Sequence, residues 1–238
     1  GRNQYVLDFS RPEVVDYIHD AIYKVLSTAD ISYIKWDMNR SITECGSAGW
    51  PAAQQGEIFH RYILGVYDLY ERLTSEFPHI LFESCASGGG RFDPGMFYYA
   101  PQAWASDDSD ACERLFIQYG TSYCYPLSFI GSHVSITPNH QVFRNTSLKF
   151  RGDVAYFGSF GYELDLGRLS PEEFEEVKEQ IKFMKKYRQL IQYGTFYRIK
   201  DPFAGNEAAW MVVSPDQKQA IFGFYRMLSK SCMPFSLT

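Results

Sequence analysis

No stretch of these 238 residues reaches the roughly 20 consecutive apolar residues of a membrane span, and no charged-then-apolar leader opens the chain. Basic residues are the minority, 23 against 28 acidic ones, and form no run, which excludes an electrostatic grip on nucleic acid or on an anionic membrane. A neutral or small polar partner fits that balance. Cysteine is sparse: Cys45, Cys85, Cys112, Cys124 and Cys232 are odd in number, scattered and free of any C-x-x-C pair. That argues against a disulfide framework or a structural zinc site and suits a reducing, cytoplasmic setting. The five histidines lack H-E-x-x-H or comparable spacing, so no metal is expected.

What is present is enough apolar residue, 45%, to fill a large core. Aromatics at 17% suit sugar-stacking walls and an ordinary core equally. Short apolar runs read as strands at 5–9, 31–36, 79–84, 102–106, 127–135 and 152–160. Helical periodicity fills the intervals. Ser10 with Glu13 predicts a capped helix to about Leu26, a long helix ends before Pro78, and Asp110 with Glu113 opens another. A further helix is expected between 135 and 152, and Ser170 with Glu173 caps one running to about Ile191. Strands alternating with helices mean βαβ units and a parallel sheet, open or closed. There are about six such units, two short of a closed (β/α)8 barrel. After Gly194 the texture changes to "AAWMVV", "SPDQ" and "QAIFGFYRML", an antiparallel hairpin that opens a second domain at about 195. Since the first residue is not methionine and two units are lacking, an excerpt of a longer protein is expected.

Polar residues gather where strands end: Lys35, Asp37 and Asn39 after one, Glu83, Ser84 and Cys85 after the next, Asp107, Asp108 and Asp110 after the third. In parallel α/β folds ligands bind beyond the carboxyl ends of the strands. In "IKWDMNR", Lys35 and Asp37 share strand parity and one face, with Trp36 on the other. They are either a structural ion pair or half of a site. Crowded acids such as "DDSD" favour holding a proton, which a general acid needs, although Asp110 reads better as a helix cap. "SCASGGGR" lacks G-K-[ST] and G-x-G-x-x-G, so it reads as a glycine floor that admits a ligand to the backbone, or as a plain turn, rather than as a phosphate cradle.

Four motifs in register, "YIKWDMNR", "ESCASGGGRFDPG", "WASDDSDACERLFIQYGTS" and "FGYELDLG", resemble the catalytic barrel of bacterial α-galactosidases of glycoside hydrolase family 36, over nearly the whole chain. The resemblance implies an incomplete TIM-type barrel over 1–194 and the beginning of a C-terminal antiparallel β domain over 195–238. It implies that Asp37 is the nucleophile and that Asp107, seventy residues later, is the general acid/base; strand parity alone leaves Asp107 and Asp108 undecided. By the same resemblance Lys35 bonds galactose hydroxyls, Asn39 supports the nucleophile's surroundings, Cys85 and Gly88 lie against the sugar, Trp104 walls the site and Arg2 contacts it. The implied reaction is retaining hydrolysis of terminal α-galactosides of the melibiose and raffinose type, with no cofactor and with carboxyl groups about 5 to 6 Å apart. A raffinose-synthase-like galactosyl transferase, or an inactive sugar-binding fragment, are the alternatives. A homo-oligomer, tetrameric in many relatives, is the expectation for the parent protein.

Overall fold

The structure, a computed structural model, describes residues 4–227 and divides into two compact units between residues 103 and 104. Among the described residues no helix is long and apolar enough to cross a membrane.

In the first unit the elements run α1 (Pro12–Leu26), β1 (Tyr33–Asp37), α2 (Ile58–Glu76), β2 (Leu81–Cys85), α3 (Pro94–Tyr99) and β3 (Gln102–Ala103). Pro12 at the first helical turn, Glu13 beside it and Lys24 in the last turn favour α1 at both ends. Along α2, Tyr62, Val66, Leu69, Tyr70 and Leu73 fall on one buried face at helical spacing. Leu69 and Leu73 are wholly buried, so truncating either to alanine costs on the order of 2–5 kcal/mol. Phe9, Val15 and Phe82 complete the core. The backbone of Phe9 crosses α2 at Gly65, where a Cβ would meet the Phe9 carbonyl oxygen at 1.8 Å.

Two expectations fail here. Residues 5–9 form no strand: they are irregular, Tyr5 is 98% exposed and only Phe9 is buried among them. Nor does Ser10 cap α1. Its hydroxyl donates to Asp8 Oδ1 at 2.5 Å and accepts from the Trp50 indole at 3.0 Å, leaving Arg11 at the cap position with no side-chain capping bond.

β1, β2 and β3 lie parallel in that order, with Lys35 opposite Glu83 and Glu83 opposite Gln102, then Asp37 opposite Cys85. Exposure alternates strictly along β1. Ile34 and Trp36 pack against the core, Trp36 with its ring centroid 4.7 Å from that of Tyr70, and Lys35 and Asp37 occupy the opposite face.

The second unit continues α4 (Ala111–Thr121), β4 (Gly131–Ser135), α5 (Leu148–Ala155), β5 (Ser159–Glu163), α6 (Pro171–Tyr193), β6 (Thr195–Lys200), β7 (Glu207–Val213) and β8 (Ala220–Arg226). β4 and β5 pair in parallel, whereas β6, β7 and β8 form an antiparallel sheet that starts directly after Gly194. Wholly buried Trp210 of β7 packs against Phe157, Phe196 and Tyr225 with centroids 5.6, 6.0 and 5.1 Å away. The Ser170–Glu173 capping box forms at α6 as expected. The run expected as a strand at 152–160 is instead the second half of α5 followed by the first residues of β5, and the run at 127–135 is a strand only from Gly131. Four of the six expected strands are therefore present among the described residues, and a fifth, β5, begins only at Ser159, near the end of the run expected at 152–160.

Candidate active site

In the first unit, the carboxyl ends of β1 and β2 bring together Lys35, Asp37, Asn39, Cys85 and Gly88. Asn39 Nδ2 donates to Asp37 Oδ2 at 2.6 Å. Its other amide atom, Oδ1, accepts from the Ser87 backbone at 2.7 Å, and the Ser87 hydroxyl donates to the Asn39 carbonyl at 3.2 Å. One asparagine thus fixes the aspartate's orientation and clasps the loop that follows β2. Ser87 and Gly88 both hold positive φ, 50° and 76°. That conformation disfavours a serine, and the two bonds to Asn39 hold it there, while glycine adopts it freely. Arg91 extends the clasp by donating to the Met38 carbonyl.

Cys85 is buried against the same carboxylate. Burial pushes its thiol up; a hydrogen bond from the Gly88 backbone opposes this, and the hydrogen bond to Asp37 adds to it, with a net shift upward that leaves a neutral donor. Lys35, with its side chain 41% exposed, stands beside them with Nζ 3.8 Å from Glu83 Oε1. The arrangement offers one carboxylate, oriented by a neutral amide and a neutral thiol, on the open polar face of a sheet. That suits a nucleophile whose position is set without its charge being quenched.

The second unit places the other residues. Trp104 is buried, its ring centroid 4.3 Å from that of His133 and the Arg114 guanidinium 5.1 Å above it. Arg114 is itself buried and donates to the carbonyls of Ser106 and Gly131, the former at 3.2 Å, and to Gln118 at 3.3 Å. Desolvation draws it down to about 10. Ser106 immediately precedes the acids. Gln141 bridges the Asp107 carbonyl, at 2.7 Å, and the Ser109 amide, at 3.0 Å.

The three aspartates differ in how their carboxylates are used. Asp108 Oδ1 accepts from the Asp110 backbone at 3.0 Å. Asp110, 1% exposed, caps α4 by accepting from the Cys112 and Glu113 amides and binds Arg144, so its role as a cap holds. Asp107 is exposed, and its carboxylate makes no hydrogen bond or ion pair among the described residues. It alone is uncommitted. Arg2 lies outside the described residues. Glu83, Ser87, Arg91 and Arg114 carry supporting roles that motif reading does not assign, because their partners are remote in sequence.

A family model described as melibiase matches residues 1–194, and the chain belongs to that family. Over 236 residues it is 56% identical to the α-galactosidase AgaA of Geobacillus stearothermophilus, covering 99% of this chain and 32% of that protein. It is 52% identical over 229 residues to α-galactosidase 1 of Pediococcus pentosaceus, covering 96% and 31%. The crystal structure of AgaA, a family 36 glycoside hydrolase, superposes with a TM-score of 0.95 over 99% of this chain and 33% of that one. The resemblance read from the four motifs therefore holds along the chain. It spans about a third of the length of these relatives.

Proposed function

We propose that this chain carries the catalytic centre of a retaining α-galactosidase that removes terminal α-D-galactosyl residues from galacto-oligosaccharides of the raffinose type. The observation that carries the proposal is the Asp37 carboxylate on the polar face of β1, held by Asn39 and Cys85 beside Lys35. In the first step an Asp37 oxygen bonds to the anomeric carbon while the glycosidic C–O bond breaks and Asp107 gives its proton to the departing oxygen. In the second, Asp107 takes a proton from water, whose oxygen bonds to the same carbon and expels Asp37. Two inversions return the α-configuration. Lys35 bonds the sugar hydroxyls in this reading, Cys85 and Gly88 lie against the sugar, Trp104 supports the wall, and Arg2 adds a further contact.

Several findings support these roles. AgaA has been solved with raffinose and with stachyose in forms that each replace one aspartate, and the two replaced positions stand 70 residues apart, the separation of Asp37 and Asp107 here. The uncommitted carboxylate of Asp107 favours it over Asp108 as the acid/base. Parallel strand–helix alternation and family membership support reading the parallel strands as parts of a (β/α)8 barrel, with a separate β domain from 195. Free Cys45, Cys85, Cys112 and Cys124 support a cytoplasmic setting, and the family resemblance supports a homo-oligomer.

The test replaces Asp37 with glycine in the full-length protein and supplies azide with an α-galactoside. The expected product is β-galactosyl azide, formed by azide entering where the carboxylate attacked. Unaltered turnover by the variant refutes the assignment of the nucleophile. Product analysis of the unaltered protein with raffinose, with and without a sugar acceptor, is expected to give free galactose as the main product. Predominant galactosyl transfer refutes hydrolysis.

A further inference from the structure

Beneath the nucleophile lies a buried carboxylate that the proposed reaction does not use. Glu83 of β2 is 3% exposed and stands on the same face of the sheet as Lys35 and Asp37, directly opposite Lys35 on one side and Gln102 on the other. Its two oxygens are used differently. Oε2 accepts from the Tyr33 hydroxyl and, at 3.3 Å, from the Gln102 amide. Oε1 accepts no hydrogen bond among the described residues and faces the Lys35 ammonium at 3.8 Å.

Stability is a poor reason for such a group. Burying the Glu83 carboxylate costs desolvation free energy, and a half-exposed ammonium 3.8 Å away offsets that cost only in part. Position offers a better one. Along this face Lys35 lies between two carboxylates, Glu83 at its own level and Asp37 one layer on, opposite Cys85. An ammonium with Asp37 as its sole anionic neighbour would settle on the oxygen that must attack the sugar. The buried Glu83, anchored through Oε2 by two neutral donors, offers a fixed anion on the other side.

We propose that Glu83 is the positioning residue for Lys35, holding its ammonium off Asp37 and aimed at the galactosyl hydroxyls; the proposal rests on the α-galactosidase reading above. Glu83 acts through Lys35 and touches neither sugar nor reacting atoms. The consequence is specific. Removing the Glu83 charge matters only while Lys35 is present.

The experiment is a double-substitution cycle in the full-length protein, with Glu83→Gln, Lys35→Met and the two combined. It is read as kcat/KM on a chromogenic α-galactoside and as affinity for 1-deoxygalactonojirimycin, which requires no turnover. Glu83→Gln is expected to lower both about tenfold in the native background and by less than about twofold in the Lys35→Met background, as for residues coupled in one network. A loss of equal size in both backgrounds overturns the proposal, because Glu83 then acts independently of Lys35. Unchanged kinetics and affinity in Glu83→Gln overturn it as well. Should Glu83→Gln fail to fold, Glu83→Asp keeps the charge while withdrawing it by one methylene, and the same dependence on Lys35 is expected. An unaltered protein that neither cleaves the galactoside nor binds the inhibitor overturns the underlying functional reading, a result distinct from failure of the cycle.

Discussion

Asp110 stands three residues from the proposed acid/base, and replacing it separates a helix cap from a catalytic group. Its Oδ2 accepts from the Cys112 and Glu113 amides at 3.0 and 3.1 Å and from Arg144, which also donates to Glu113 at 3.0 Å. Asp110→Ala removes the cap, worth about 1 kcal/mol. It also removes one charged hydrogen bond, worth about 1.5 kcal/mol at the low end of its range because Arg144 retains Glu113 and is 26% exposed. The total of about 2.5 kcal/mol lowers the thermal midpoint of the unit that holds α4. Asparagine caps a helix as well as aspartate does, so Asp110→Asn forfeits only the charge and lowers the midpoint by roughly half as much. Differential scanning fluorimetry of the full-length protein and its two variants, alongside turnover of a chromogenic α-galactoside, reads both quantities. Folded Asp110→Asn is expected to keep kcat within about twofold, since a cap touches no reacting atom. Loss of turnover at an unchanged midpoint refutes the reasoning, and equal destabilisation by both variants shows that the cap contributes nothing.

Gly65→Ala is expected to lower stability by about 1–3 kcal/mol or more, because the added methyl meets a backbone oxygen and not a yielding side chain; urea denaturation measures it. A pH dependence should arise at His19. Burial opposes its charging, but the Asp20 and Glu76 carboxylates, 3.0 and 2.7 Å from its two ring nitrogens, outweigh burial and raise its pKa. Its contribution is therefore fully present below the unfolded value of about 6.5 and lost as pH rises through the higher folded value. The thermal midpoint of the native protein should fall with pH across that window, and His19→Gln should flatten the fall. An identical pH dependence in the variant refutes the attribution.

How much of this was legible in the sequence follows from the range of each interaction. The face shared by Lys35 and Asp37 follows from period-two alternation, and the Asp110 and Ser170 caps depend on bonds spanning at most three residues. Errors arose where an apolar run was ambiguous. "GDVA" is as good a buried helix as a strand, and its neighbours make it the end of α5. "YVLDF" has apolar residues at strand spacing, yet Tyr5 is solvent-exposed and only Phe9 reaches the core. Ser10 has the spacing of a cap, but a competing donor, Trp50, reaches its hydroxyl from forty residues away. The Glu83 network leaves no local pattern for the same reason, since Tyr33 and Gln102 are fifty and nineteen residues distant.

The strict alternation along β1 makes the proposed centre all-or-none. A slip of one residue against β2 would turn Ile34 and Trp36 onto the polar face and send Lys35 and Asp37 into the core, so no shifted pairing retains part of the chemistry. The contact of Trp36 with Tyr70, ring centroids 4.7 Å apart, belongs to that one pairing: the aromatic ring reaches the core only when both functional groups are outward. On the proposed function, a weakened core should therefore reduce the number of working molecules before it blunts any one of them.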